Sequence, residues 1–360
     1  MAASKRMANW DLLRSLSMLL VVVCHSARYL PPVCDVDAAL ALERLALVCD
    51  PVFFALSGFF AIRPLRQGYG RYLSHKAKTI VVPLLVYATL AYAAFCLTGS
   101  EVLGVDTYLS WVWQTMGAQY WFVPALIPCL MVAPLLYALF SNLDRRQTRL
   151  TLSITVALSL WGFAGQLIEM TFPSATTEGL LGIANYFFPT STLLGSYLPY
   201  FCLGYLAERV PELYGERGAR AICVLGWVAW LCVALLVLLG FEPHNPDYSW
   251  VVTTIAVFCL FAKICVRGRR TSAAITWVAR HSYGIYLLQA GVIHFVFAAA
   301  TGAGLLDTSR GGPVCIMAWV ACTLACYLIS LAAAALLDAT VVRLTQAGYE
   351  RIEGALAHHE

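Results

Sequence analysis

WDLLRSLSMLLVVVCHSARYL, residues 10–30, is an apolar run that carries Arg14 near its start and His25 three turns later. About 20 such residues cross the roughly 30 Å hydrocarbon core of a bilayer as a helix. A charge near the middle of that helix costs roughly 2.5–3.5 kcal/mol on insertion scales, so a plain anchor has neither residue. The step from Arg14 to His25, at about 100° per residue, overshoots three full turns by only about 20°. The two side chains therefore share a face, about 16 Å apart along the axis. Asp11, Met18, Val21 and Arg28 lie near the same line, and Ser17 flanks it. The run predicts a membrane helix with a polar stripe.

The rest of the chain has the same character. Hydrophobic residues make up 60% of it and charged residues 12%, with a mean hydropathy of +0.73. Its solvent is mostly lipid, which excludes a large soluble domain and a nucleic-acid-binding surface. Apolar runs at 10–30, 44–62, 79–99, 120–140, 149–168, 191–209, 219–240, 249–266, 281–300 and 313–338 predict an all-α integral membrane protein of about ten transmembrane helices. Charge in the loops is an independent check on that reading. Lys5, Arg6, Arg63, Arg66, Arg71, Lys76, Lys78, Arg145, Arg146, Arg149, Arg209, Arg217, Arg220, Lys263, Arg267, Arg269, Arg270, Arg280, Arg343 and Arg351 all fall on one side. The alternate loops carry Asp35, Asp37, Glu101, Asp106, Glu169, Glu178, Glu242, Asp247 and Asp307, beside a lone Arg310. Both termini are expected in the cytoplasm. The first helix, which has no small-residue cleavage site behind it, is expected to be retained. Residues 1–338 read as one membrane-embedded domain and 339–360 as a short amphipathic cytoplasmic tail, whose His358 and His359 are too few for a metal site.

Two loops on the outer side are long. Residues 99–119 contain Trp111 and Trp113, and residues 169–190 contain Asn185, Tyr186 and Phe187. These aromatics read either as an interfacial belt or as a sugar-stacking platform. Most of the thirteen cysteines sit inside apolar runs and none forms a paired CxxC, so they read as small buried hydrophobes. Cys34 and Cys49 leave one disulfide open, and no metal site is expected.

Five groups of residues could carry chemistry. Arg14 and His25 read either as a snorkelling cation and a satisfied buried imidazole, or as a fixed cation for an anionic co-substrate beside a general base. Arg63, Arg66, Arg71, Lys76 and Lys78 serve topology and lipid contact, or bind phosphates. Asp50, ahead of Pro51, is an N-cap or a carboxylate that orients His25; the run Phe53 to Phe60 after it contains Ser57. Tyr120-Trp121-Phe122-Val123-Pro124 opens a span that also holds Pro128 and Pro134, which imply freed carbonyls or a kink and hence a cavity wall. His281, Ser282, Tyr283, Tyr286 and Gln289 open another span with hydrogen-bonding groups that suit a cavity lining.

Taken jointly, several segments resemble acyltransferase family 3. They are Arg14 and His25, Phe-Phe-x-Leu-Ser-Gly-Phe at 53–59, Arg-x-x-Arg at 63–66, Trp-Phe-x-Pro-Ala-Leu at 121–126, Leu-Gly-Tyr at 203–205 and Ser-Tyr-Gly-Ile-Tyr-Leu at 282–287. The resemblance implies a ten-helix membrane enzyme, in the prokaryotic plasma membrane, that O-acylates envelope carbohydrates or lipid-linked glycans. Acyl-CoA, usually acetyl-CoA and sometimes succinyl-CoA, is the co-substrate, and no cofactor is permanently bound. It further implies His25 as the catalytic residue, Arg14 as its partner, and Arg63 and Arg66, with Lys76 and Lys78, as contacts of the CoA phosphates. Asp50, Ser57, Trp121, Tyr283, Tyr286 and Gln289 become candidate cavity or acceptor contacts. Gln289 stands where the family often has His, and Lys76 and Lys78 stand where arginine is more usual. The expected scheme has His25 acting as base or as acyl carrier on a donor that enters from the cytoplasm. The competing reading is a transporter or flippase with Arg14, Asp50 and His25 as a relay. Paired broken helices in two related halves would favour it, and the sequence has no such second set.

Overall fold

The computed structural model describes residues 7–30, 36–66, 68–188, 196–241, 244–307, 309 and 311–357. Lys5, Arg6, Cys34, Asp35, Glu242, Arg310, His358 and His359, all used in reading the sequence, lie outside those residues. Every regular element among the described residues is helical. In chain order they are α1 (Ala8–Ala27), α2 (Val36–Ala46), α3 (Cys49–Ala61), α4 (Tyr69–Lys76), α5 (Val82–Leu97), α6 (Val105–Ala118), α7 (Phe122–Ser141) and α8 (Arg145–Thr171). Then come α9 (Ala175–Phe187), α10 (Leu198–Leu206), α11 (Val210–Leu238), α12 (Trp250–Lys263), α13 (Arg269–Arg280), α14 (Ser282–Gly302), α15 (Gly312–Leu337) and α16 (Arg343–Ala357). Wider π turns at Ala77–Val81 and Asp338–Val342 join α4 to α5 and α15 to α16 without a break. The tail expected from residue 339 thus continues the last long helix.

Among the described residues, seven helices are long and apolar enough to cross a membrane by length and composition. They differ from the ten expected runs at three places. The run at 44–62 is divided into α2 and α3 by a turn at Leu47 and Val48. Residues 198–209 of the run at 191–209 and 219–238 of the run at 219–240 fall within one helical stretch, Leu198–Leu238, which Gly215 interrupts at φ 71° and ψ 170°. The run at 249–266 is the shorter α12, nearly all of whose residues are buried. A helix apolar on every face suits such a core position. Both long loops that the charge pattern places outside contain a helix. In α6, Trp111 packs on Tyr92 at 5.7 Å while Trp113 is exposed; in α9, Tyr186 and Phe187 are exposed.

The chain forms two compact units, Met1–Pro64 with Val132–Arg269, and Leu65–Met131 with Arg270–Glu360. In the first, α1 packs on α2 and α3, and α3 packs on α10. The α3–α10 contact is backbone to backbone. A Cβ on Gly58 would collide with the Phe201 carbonyl, and one on Gly204 with the Ala55 carbonyl. Close approach of this kind drives helix association where lipid removes the hydrophobic advantage of burial. The glycines of Leu-Ser-Gly and Leu-Gly-Tyr are thus two sides of one contact.

In the second unit the tyrosines balance the backbone. Tyr72 donates its hydroxyl at 2.8 Å to the carbonyl of Leu130, which stands four residues before Pro134 in the sequence and so lacks that residue's N–H as a donor. Tyr69 donates to the neighbouring Met131 carbonyl. Tyr283 donates to Ile80 in the π turn at 2.9 Å, Tyr286 to Gln119 at 2.9 Å, and Tyr120 to Leu287 at 3.0 Å. Without water, each unsatisfied carbonyl costs several kcal/mol, so roughly one tyrosine per irregularity is expected.

Replacing Gly204 with Val should lower the melting temperature of the purified protein by several degrees, because overpacking costs about 1–3 kcal/mol or more. Gly291→Ala, at a helical glycine with open space around it, should leave the melt unchanged. Equal melting of the two variants would show that the α3–α10 contact is not tight.

Candidate active site

Helix α1 is continuous from Ala8 to Ala27, so Arg14 and His25 keep their helical phase and stand about 16 Å apart along the axis. The stripe between them faces into the first unit: Asp11, Ser17, Met18 and Val21 are buried, and Arg14 and His25 are half-buried. An aromatic group holds the Arg14 end. Trp10 lies 4.8 Å from Phe59 and 5.1 Å from Phe258 between ring centroids, and Asn9 donates to the Phe261 carbonyl at 3.0 Å. Phe59 and Phe60 meet edge to face at 5.0 Å. The Arg14 guanidinium sits over Phe60 at 5.1 Å, and that of Arg63 over Phe59 at 5.1 Å. Two cations separated by 49 positions are thus gathered on neighbouring rings of one helix end. Cation–π contact of this kind orients a guanidinium without consuming its five N–H donors.

The other end of the pair holds the thiols and the carboxylate. Asp50 lies in the first turn of α3, where Val48 is the cap and no side chain caps the helix. That position corrects the N-cap alternative; a carboxylate in the first turn instead faces the positive end of the helix dipole. The Cys49 thiol donates to Asp50 Oδ1 at 3.5 Å. Cys24, one residue before His25, and Tyr197, stacked on Phe54 at 4.4 Å, both lie within electrostatic reach of Asp50. The fold therefore brings a carboxylate to the His25 end of α1. Ser57, the residue before Gly58, is half-buried on α3.

The remaining expected residues belong to the second unit. Arg66 is exposed, and the boundary between the units falls between it and Arg63. Lys76 lies over the Tyr72 ring at 5.4 Å and borders an apolar cavity of about 230 Å³ against Leu73, Ile80, Ile127 and Met131. Lys78 is ion-paired to Glu350, and Gln346 donates to its carbonyl at 3.0 Å. Trp121 is half-buried and Gln289 fully buried. Tyr283 and Tyr286 hold backbone carbonyls, as described above.

One polar group escaped the sequence reading. Asp338, at the end of α15, accepts from Tyr87 at Oδ1, 2.8 Å, and meets His281 Nδ1 at Oδ2, 2.7 Å. A half-buried carboxylate inside a continuous helical stretch loses part of its hydration, and both partners offset that cost. Gly284 makes room for the arrangement: a Cβ there would lie 2.6 Å from the Tyr87 hydroxyl. The available signal was an acid closing one apolar run and a histidine opening another.

A family model described as an acyltransferase domain, family 3, matches residues 7–337. No curated protein and no solved structure matches the chain.

Asp338→Asn should cost about 1–3 kcal/mol, because it weakens the contacts of a buried tyrosine and a half-buried histidine at once. Lys78→Gln should cost only about 0–1 kcal/mol, as its pair with Glu350 is largely exposed. Thermal unfolding in detergent would check the order of the two, and a larger loss from Lys78→Gln would refute it.

Proposed function

This chain belongs to acyltransferase family 3, and from that premise we propose that it moves an acyl group from cytoplasmic acyl-CoA to a hydroxyl of a cell-envelope carbohydrate or lipid-linked glycan. It is a multi-pass membrane acyltransferase; acetyl is the proposed acyl group and the prokaryotic plasma membrane the proposed location. The observation that carries the reading is the pair of guanidiniums, Arg14 and Arg63, on Phe60 and Phe59 at one end of α1 and α3. Two forked cations on adjacent rings suit the phosphates of CoA.

His25, three turns along the same face, is the proposed base. Its imidazole would take the proton of the acceptor hydroxyl as that oxygen attacks the thioester carbonyl, and the CoA thiolate would leave. In the other route, His25 attacks first and carries the acyl group to the hydroxyl. Asp50, at the same end, would stabilise the imidazolium in either case. Arg14 at the donor end and His25 at the acceptor end suit reactants that approach from opposite sides of the bilayer. That sidedness rests on a ten-crossing topology with both termini cytoplasmic. Gly215 supports it by dividing Leu198–Leu238 in the loop expected between two crossings, and α12 by its apolar character.

Membranes that contain His25→Ala should transfer radiolabelled acetyl from acetyl-CoA at least about 100-fold more slowly than wild type, the usual range for losing a general base. Arg14→Lys should raise the KM for acetyl-CoA more than it lowers kcat, because a point charge replaces a fork. Undiminished transfer by His25→Ala sinks the reading. Mass spectrometry of envelope glycans from a deletion strain should show the loss of one acyl mass per modified unit.

A further inference from the structure

Gln166 is the most anomalous polar residue of the first unit. It is 4% exposed, on the inward face of α8, and neither its amide nitrogen nor its amide oxygen has a hydrogen-bond partner among the described residues. Burying a primary amide without partners costs a few kcal/mol, so something other than this chain is expected to satisfy it. The side chain borders a cavity of about 70 Å³ between α8, α9 and the segment before α12. That volume holds several waters or one edge of a larger ligand.

The remaining lining defines the ligand chemistry. Trp161 and Tyr248 supply ring faces, Glu169 a carboxylate, Asn185 a second amide and His244 an imidazole. Among the described residues that border the cavity there is no lysine or arginine, which argues against a phosphate or carboxylate ligand, and the one carboxylate among them is too few for a divalent cation. Neutral amides and a carboxylate beside aromatic rings suit paired hydroxyls on a ring with an apolar face. Burial, and then the Asp247 charge, pushes the Tyr248 phenol up, so its hydroxyl keeps its proton and remains a donor. The cavity wall is also held in place. Ser159 donates to the Tyr248 carbonyl, Tyr200 to the Asp247 carbonyl at 3.3 Å, and the Ser249 N–H to Asp247 Oδ1 at 2.7 Å.

We propose that this cavity is a binding site for one edge of a neutral sugar, with the Gln166 amide pairing two of its hydroxyl groups. α9 and the segment before α12 both lie on the side that the charge pattern assigns to the exterior, where a glycan would arrive. The site's role as acceptor contact rests on the acyltransferase reading; its affinity for sugars does not.

Saturation-transfer NMR on the full-length protein in detergent tests this with methyl glucoside, methyl galactoside and N-acetylglucosamine as probes. At least one should bind the wild type, and His25→Ala should bind it equally well. Gln166→Leu should weaken binding roughly tenfold or more, as expected when hydrogen bonds to a buried partner are lost. Asn185→Ala, at an exposed position on α9, should weaken binding while leaving the fold intact, whatever Gln166→Leu does to folding. The site is overturned if no probe binds, or if both variants bind as tightly as wild type. His25→Ala abolishing acetyl transfer while both pocket variants bind normally removes the pocket and keeps the acyltransferase reading. Sugar binding lost in the pocket variants, with His25→Ala fully active, does the reverse.

Discussion

Helices α3 and α10 approach until the Gly58 and Gly204 hydrogens are all that separates one backbone from the carbonyls of the other. In lipid an apolar side chain gains little by leaving its surroundings, so such contacts hold helices together through close fit. The rest of the first unit follows from the rotation this contact imposes on α3. Phe54 meets Tyr197, Phe59 turns to Trp10 and Phe258, and Phe60 is left outermost for Arg14. A side chain at either glycine would move the rings that seat both guanidiniums.

The second unit is governed by a different constraint. Its chain is irregular where prolines and π turns break the helical ladder, and each break leaves carbonyls that hydrocarbon cannot solvate. Tyr69, Tyr72, Tyr120, Tyr283 and Tyr286 all spend their hydroxyls on backbone oxygens. The polarity of the segment from His281 to Gln289 thus serves bracing as much as any cavity. The Tyr87–Asp338–His281 group extends the pattern to the π turn after α15, where a half-buried acid is held by two partners.

The motifs therefore divide by task. Leu-Ser-Gly and Leu-Gly-Tyr set a helix crossing, and Ser-Tyr-Gly provides a tyrosine brace and the space beside it. Arg14, Arg63 and His25 are left as the residues whose placement packing alone does not explain. The aromatic pair Phe59 and Phe60 links the two kinds, since it is buried on one side and seats cations on the other. Gln166 is a separate case. Its amide borders a small polar space and has no hydrogen-bond partner among the described residues.

How much was legible in advance depended on the range of the interaction. Helical phase is local, so the shared face of Arg14 and His25 could be read from spacing, and the apolar runs located most of the helices. The turn that divides α2 from α3, and the shortness of α12, were not legible because hydropathy averages over breaks of one or two residues. Proline positions implied freed carbonyls, but which tyrosines would take them depended on residues more than 50 positions away. The same holds for the Asp338 pair and for the open amide of Gln166. Sequence alone determined the helical membrane class, the family and the polar stripe, because composition and periodicity act along the chain. Tertiary structure alone decided which rings seat the two guanidiniums, which tyrosines brace and which buried amide has no partner among the described residues, because those outcomes depend on where distant helices touch.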